Sequence, residues 1–516
     1  MNFKNLIIFL QYLYFSIAKN SLYCLVLIFF TIGIVFSLLI PPFQVPDENA
    51  HWYAAYQRSE QLFNPTFDPQ KDCLFANSLP SHFETARISF AGDQKTDGSF
   101  YRSLPKMKKH CYEFKLGYGN VLTYPGVIFA RVFNIKENLR SERNFQTFIL
   151  SRFFQGIIVV LALLRLCFLF SKSNQIQPGL STFFAFFLSP LMIQQSFAVS
   201  ADTIFISLSA YLVILVLYFK KLNYFDWLAI FLLSVSCALT KPPQIVLLLT
   251  ALFFGYLLSK NSKNTDKSKL KINYYTALFV GIATILASAW MTYKNIFPDS
   301  MNPNSLSFQG EGRNISASLQ LKFFFEDINR GVSNICNSLN QYFDFEILMS
   351  PLGWLDTPIR SWSKSYWYWF LETFFIFDII GLLLVVTKKI IDKDSLSKKF
   401  ISSFFSFLSL SLTTYLGAFL IVLTLYLTWT TVGAEGVSGL QGRYFLPIFA
   451  LIPVFIGGLL ISPFSEDSYQ INNLEKISLS EKNAHTLSNL VAITSVIIIG
   501  LSFLSIIYTD LIRRWW

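Results

Sequence analysis

The chain has 516 residues, 53% of them hydrophobic and 17% aromatic, with 14% charged and a net charge of +11. Soluble domains carry about a quarter charged residues, so this composition belongs to a polytopic membrane protein. The lysines fall in short clusters between apolar runs, the pattern of membrane loops rather than of a nucleic-acid-binding face. No paired-cysteine zinc pattern, P-loop or glycine-rich dinucleotide fingerprint supports soluble nucleotide chemistry.

Residues 1–19 mix Phe, Leu and Tyr with Lys4 and Lys19, which suits a helix lying in the interface before the first span. About eleven spans (range 10–13), each long enough for a bilayer, are expected. They fall near 20–40, 146–171, 178–198, 201–220, 225–240, 242–259, 273–294, 367–388, 402–430, 443–463 and 486–509. Segment 20–40 is too long for a signal-peptide core and lacks a small-x-small site before Pro41, so it reads as an uncleaved anchor. An all-α polytopic protein follows, with an N-terminal transmembrane module over 20–296 and a C-terminal one over 367–516. A long segment interrupts the first module at 41–145, and another separates the two at 297–366.

The loops "SKNSKNTDKSKLK" (259–271) and "KKIIDKDSLSKK" (388–399) are short and strongly basic, which predicts a cytoplasmic position for both. Counting spans from either loop gives one answer: N-terminus inside, both long segments outside, C-terminal "RRWW" outside. The expected location is a bacterial inner membrane with its active face extracytoplasmic. Cys73 and Cys111 then lie in an oxidising compartment, either as a disulfide or as two separate thiols.

Charged groups near hydrocarbon are costly, so each one needs a reason. Asp47 and Glu48 follow the first span in "PPFQVPDENAHWYAAYQ", where three prolines stiffen the approach. Asp202 sits in "FAVSADTIF", Lys241 in "ALTKPPQ", and Glu435 and Arg443 in "TTVGAEGVSGLQGRYFLP", all assigned to the same face. Singly, Lys241 reads as a snorkelling side chain, Asp202 as an N-cap and Arg443 as an interfacial anchor. His51 is a second acid–base candidate, though local packing or bonding one turn after Asp47 is the preferred reading. Arg152 and Arg165, near the two ends of the second span, read as snorkelling. Together the outer residues suit one chemistry. A carboxylate acting as base deprotonates an acceptor hydroxyl while a lysine and an arginine neutralise the phosphate of a lipid-linked leaving group. The planar guanidinium fork matches phosphate oxygens.

Several stretches resemble a large bacterial family of polytopic membrane proteins known only as a domain of unknown function. The family's Pro-x-Asp-Glu-x-Ala-His motif is matched by "VPDENAHWYAAYQ", and its Tyr-Pro element by "LTYPGVIFARVF". "VSADTIF", "ALTKPPQ", "LQGRYFLP" and "LGWLDTP" follow the family pattern, although Asn49 stands where proline is commoner. The family is similar in layout to membrane glycosyltransferases of the GT-C architecture. That resemblance implies a polyprenyl-phosphate sugar donor, an envelope glycan or lipid acceptor, and no nucleic-acid partner. It places the acidic motif on Asp47 and Glu48, with Asp47 as base and Glu48 supporting or replacing it, and a second acidic position on Asp202. Lys241 and Arg443 contact the donor phosphate. Members differ in their need for a divalent metal, so no metal is assigned. The rival readings are a flippase for a lipid-linked glycan, which needs ionisable groups at mid-membrane, and a non-enzymatic assembly partner in the envelope.

Overall fold

The computed structural model describes residues 3–41, 44–45, 47–48, 51–52, 54–55, 59, 62, 124–134, 141–173, 177–260, 267–296, 315–341, 352, 359–391, 400–461, 494 and 497–512. Every extended element among the described residues is a helix. Cys73, Cys111, most of segment 41–145, residues 297–314, and residues 261–266 and 392–399 of the basic loops lie outside them, as does all of "LGWLDTP" except Leu352.

In chain order the helices are α1 (Phe3–Leu39), α2 (Pro125–Asn134), α3 (Ser141–Ser173), α4 (Leu180–Phe187), α5 (Pro190–Ser196), α6 (Asp202–Tyr218) and α7 (Tyr224–Thr240). They continue as α8 (Ile245–Lys260), α9 (Lys267–Ile296), α10 (Ala317–Glu326), α11 (Ile328–Gln341), α12 (Ser361–Ile391), α13 (Phe400–Thr428), α14 (Leu446–Ile461) and α15 (Ile497–Ile512). Among the described residues, seven helices are long and apolar enough to cross a membrane, and α7, the α14 stretch and α15 are shorter apolar helices.

Burial grades from centre to rim. The apolar window of α6 is 94% buried, whereas that of α12 is 22% buried. Helices α4 and α5 are buried along their whole length. An all-round apolar helix at the centre and one-sided burial at the rim, with Phe375, Ile376, Ile380 and Leu383 of α12 exposed, is the arrangement a lipid-solvated bundle needs.

Two expectations are corrected here. Segment 178–198 is not one span. Phe186 and Phe184 carbonyls close the end of α4, and Pro190 begins α5 with the Ser189 hydroxyl accepting the Met192 N–H. Proline has no N–H to give a continuing helix and suits a first helical position, so the apolar run breaks there. Nor do residues 1–19 form a separate element, since α1 runs unbroken from Phe3 to Leu39. No proline or glycine interrupts it before Gly33, and its first half docks on α12. Gln11 Nε2 donates to the Leu384 carbonyl at 3.0 Å and Tyr14 packs on Gly381.

The α5–α6 connection is placed by one aromatic. Phe197 lodges between Gly33 of α1 and Gly156 of α3, where a Cβ on either glycine would overlap its ring. This wedge fixes the segment Ala198–Ala201 against the C-terminal end of α1, and so sets the position of Val199 and Asp202.

Candidate functional site

The exit from α1 is clamped by Arg152 of α3. Its Nη1 donates to the carbonyls of Ile40 (2.6 Å) and Ser37 (3.1 Å), and its Nη2 to that of Pro41 (3.1 Å). Helix C-termini leave carbonyls without intrahelical donors, and a guanidinium with five N–H groups satisfies several at once. The same guanidinium meets Glu48 through two parallel hydrogen bonds, Nε to Oε1 at 2.8 Å and Nη2 to Oε2 at 2.5 Å. The Val199 N–H also donates to Glu48 Oε1 at 3.2 Å. Both side chains are within 1% of full burial.

This geometry separates the two adjacent carboxylates. Glu48 is engaged by Arg152 and the Val199 N–H and enclosed. The snorkelling assigned to Arg152 is corrected, because Arg152 points into the bundle and not along its edge. Arg165, thirteen residues further along α3 and about 20 Å away by helical rise, is also paired. Its guanidinium donates to both Asp226 oxygens, at 2.7 and 2.6 Å, and Asp226 completes a capping box with Asn223 at the start of α7.

Asp47 faces the other way. Its backbone adopts φ 62°, the left-handed region, which turns its side chain away from Glu48's pocket and leaves it 44% exposed. Asp47 Oδ2 accepts from Arg443 Nη2 at 2.6 Å, across 396 residues of chain. Arg443 sits in a 3₁₀ turn, Gly442–Tyr444, at the entrance to α14. Its Nε lies 3.4 Å from Asp202 Oδ2, and Asp202 also pairs with Lys241. Lys241 caps the C-terminal end of α7, with its ammonium 4.8 Å from the Tyr444 ring centre, while the Tyr444 hydroxyl accepts from Arg443 at 3.2 Å. Asp202 itself is the first residue of α6 rather than its cap, the capping position being Ala201. An acid in a first helical turn is favoured by the helix dipole.

Four of the residues assigned to one face, Asp47, Asp202, Lys241 and Arg443, therefore form a continuous cluster of two acids and two cations. His51 is buried beside it and shares a 2.5 Å hydrogen bond with the Tyr124 hydroxyl through Nδ1. Burial pushes the imidazole down to about 4, with Arg443 and Lys241 acting in the same direction against Asp47. The ring is thus neutral at pH 7, and its side-chain partner is not local but Tyr124, 73 residues away. Glu435 is exposed and takes part in no ion pair among the described residues. Tyr124, in the Tyr-Pro element, was visible in sequence only through the family pattern. Its partner lies 73 residues away. Among the described residues no group of three metal-ligating side chains comes together, so the cluster offers no ready metal cage.

A second buried acid lies within the bundle. Asp378 of α12 accepts from Tyr14 Oη at 3.2 Å, from the Thr182 N–H at 2.8 Å and from the Thr182 hydroxyl at 2.7 Å. It ties α1 and α12 to the first turn of α4. The sequence reading gave Asp378 no role.

Residues 29–452 match the DUF2142 family, described as a predicted membrane protein. The chain belongs to that family. The match takes in every member of the four-residue cluster as well as Glu48, Arg152 and His51. No curated protein matches the chain, and no solved structure matches it.

Proposed function

We propose that this DUF2142 protein is a glycosyltransferase of GT-C type. It uses a polyprenyl-phosphate-linked sugar to modify a cell-envelope glycan or lipid on the extracytoplasmic side of a bacterial inner membrane. The observation that carries the reading is the contact of Asp47 with Arg443 within a cluster that also holds Asp202 and Lys241. A half-exposed carboxylate stands beside two cations, at the junctions of apolar helices where a lipid phosphate would reside. Asp47 takes the proton of the acceptor hydroxyl as that oxygen bonds to the anomeric carbon. The bond from the anomeric carbon to the phosphate oxygen breaks, and the electron pair leaves with the lipid phosphate, whose charge Arg443 and Lys241 neutralise. Glu48 and Arg152 act as positioning residues that hold the turn, and Asp202 holds the two cations.

The glycan profile of a deletion strain, complemented with wild type and with Asp47→Asn, tests this. Accumulation of lipid-linked sugar in the Asp47→Asn strain is expected. Full envelope glycosylation by that variant would overturn the assignment.

A further inference from the structure

In the resting arrangement the residue assigned as base is already neutralised. A carboxylate hydrogen-bonded to a guanidinium at 2.6 Å is stabilised as the anion and is a poor proton acceptor. The same Arg443 is the group that suits the leaving phosphate, so the two assignments conflict unless Arg443 changes partner. The two acids around it differ in access: Asp202 is buried, whereas the Asp47 side chain is 44% exposed. Asp202 is also fixed from a second side by Lys241 and by its place in the first turn of α6. Asp47 lies in the turn that opens the helical residues that include Glu48 and His51, and the His51 N–H donates to its carbonyl; its exposed side chain is the acid an incoming anion can replace.

We infer that the phosphate of a lipid-linked donor displaces Asp47 from Arg443, so that donor binding releases the carboxylate that accepts the proton. This rests on the transferase reading and adds an order to it: donor first, then base. One anion takes the place of another at Arg443 Nη2 while Asp202 stays beside its Nε, so the buried guanidinium keeps two anionic partners through the exchange. Lys241 stays with Asp202 and the Tyr444 ring and supplies the second cation. Without donor, Asp47 is held from activating water or acceptor.

The inference fixes a sign that a simple binding role does not. If Asp47 competes with the phosphate, removing its charge strengthens binding of a lipid phosphate. If Asp47 merely lines the site, removal weakens binding or leaves it unchanged. The test uses the full chain in nanodiscs of neutral phosphatidylcholine, titrated with undecaprenyl phosphate, phosphatidylglycerol and inorganic phosphate. Asp47→Asn should bind undecaprenyl phosphate about tenfold more tightly than wild type, a gain of about 1.4 kcal/mol, and Arg443→Gln should lose binding. Asparagine accepts the left-handed backbone, so the variant keeps the turn. In wild type, carbodiimide labelling of Asp47 should rise when undecaprenyl phosphate is added.

Unchanged or weaker binding by Asp47→Asn, with wild type binding normally, overturns the exchange and leaves the transferase reading standing. Failure of wild type to bind undecaprenyl phosphate overturns both. Tightening shared by inorganic phosphate locates recognition in the anion, while tightening confined to undecaprenyl phosphate adds its chain. Either result carries the exchange.

Discussion

Arg152 binds Glu48 through two parallel hydrogen bonds while donating to the carbonyls of Ser37, Ile40 and Pro41, so one side chain joins α3, the exit from α1 and the turn that bears Asp47. Removing one member of a buried ion pair strands the other. Arg152→Leu should lower stability by about 3–5 kcal/mol, whereas Arg152→Leu combined with Glu48→Leu should recover part of that loss. Thermal unfolding in detergent of the single and double variants checks this. The α1 carbonyls stay unpaired in both, so recovery should be incomplete.

The adjacent acids should fail in different ways. Asp47→Asn is expected to fold normally and to lose about 10²–10⁴-fold in transfer rate, the range for removing a general base. Glu48→Gln keeps shape but loses a charge-assisted pair, and its defect should appear first as a lowered melting temperature. Measuring both quantities on both variants separates the roles. A stable, inactive Glu48→Gln would move the base to Glu48.

His51 gives a pH dependence with a definite sign. Its pKa falls from about 6.5 in an unfolded chain to about 4 in the folded protein, chiefly through burial. The unfolded state therefore binds more protons between those values, and stability falls as pH drops from about 6.5 towards 4. The loss can reach about 3 kcal/mol. Melting temperatures between pH 7 and pH 4 should decline more steeply for wild type than for His51→Gln, which has no group to charge.

Asp378 tests whether the polar knot inside the bundle is structural. Tyr14→Phe removes one hydrogen bond and should cost about 1 kcal/mol. Asp378→Leu leaves the Thr182 N–H and hydroxyl and the Tyr14 hydroxyl without their acceptor, at about 1–3 kcal/mol for each buried group that finds no other. Loss of transfer with unchanged stability in Asp378→Asn would instead point to a role in passage across the membrane.

The parts of the site legible in sequence were those that charge alone could sort. Basic loops assigned Asp47, Asp202, Lys241 and Arg443 to one face, and their convergence requires only that the helix ends at that face meet. Pairings across long stretches of chain were not legible. Arg152 near a span end has the same sequence signature whether it snorkels or turns inward, and only packing against α1 and Glu48 separates the cases. The same holds for Arg165 and Asp226. In 178–198, apolar content outweighed Ser189-Pro190, although a serine before a proline is a helix start in its own right. Glu435 shared a loop with Arg443 but not its environment, because the glycine-rich stretch between them lets the chain turn away from the cluster.

The left-handed turn at Asp47 has a consequence for engineering. An L-residue with a side chain pays about 1 kcal/mol or more for that backbone shape, and glycine does not. Asp47→Gly should therefore ease the local backbone while taking from the buried Arg443 the carboxylate it meets at 2.6 Å, two effects of opposite sign on stability. Backbone strain and charge pairing are thus opposed at a single position, and the melting temperature of Asp47→Gly reads the difference between them.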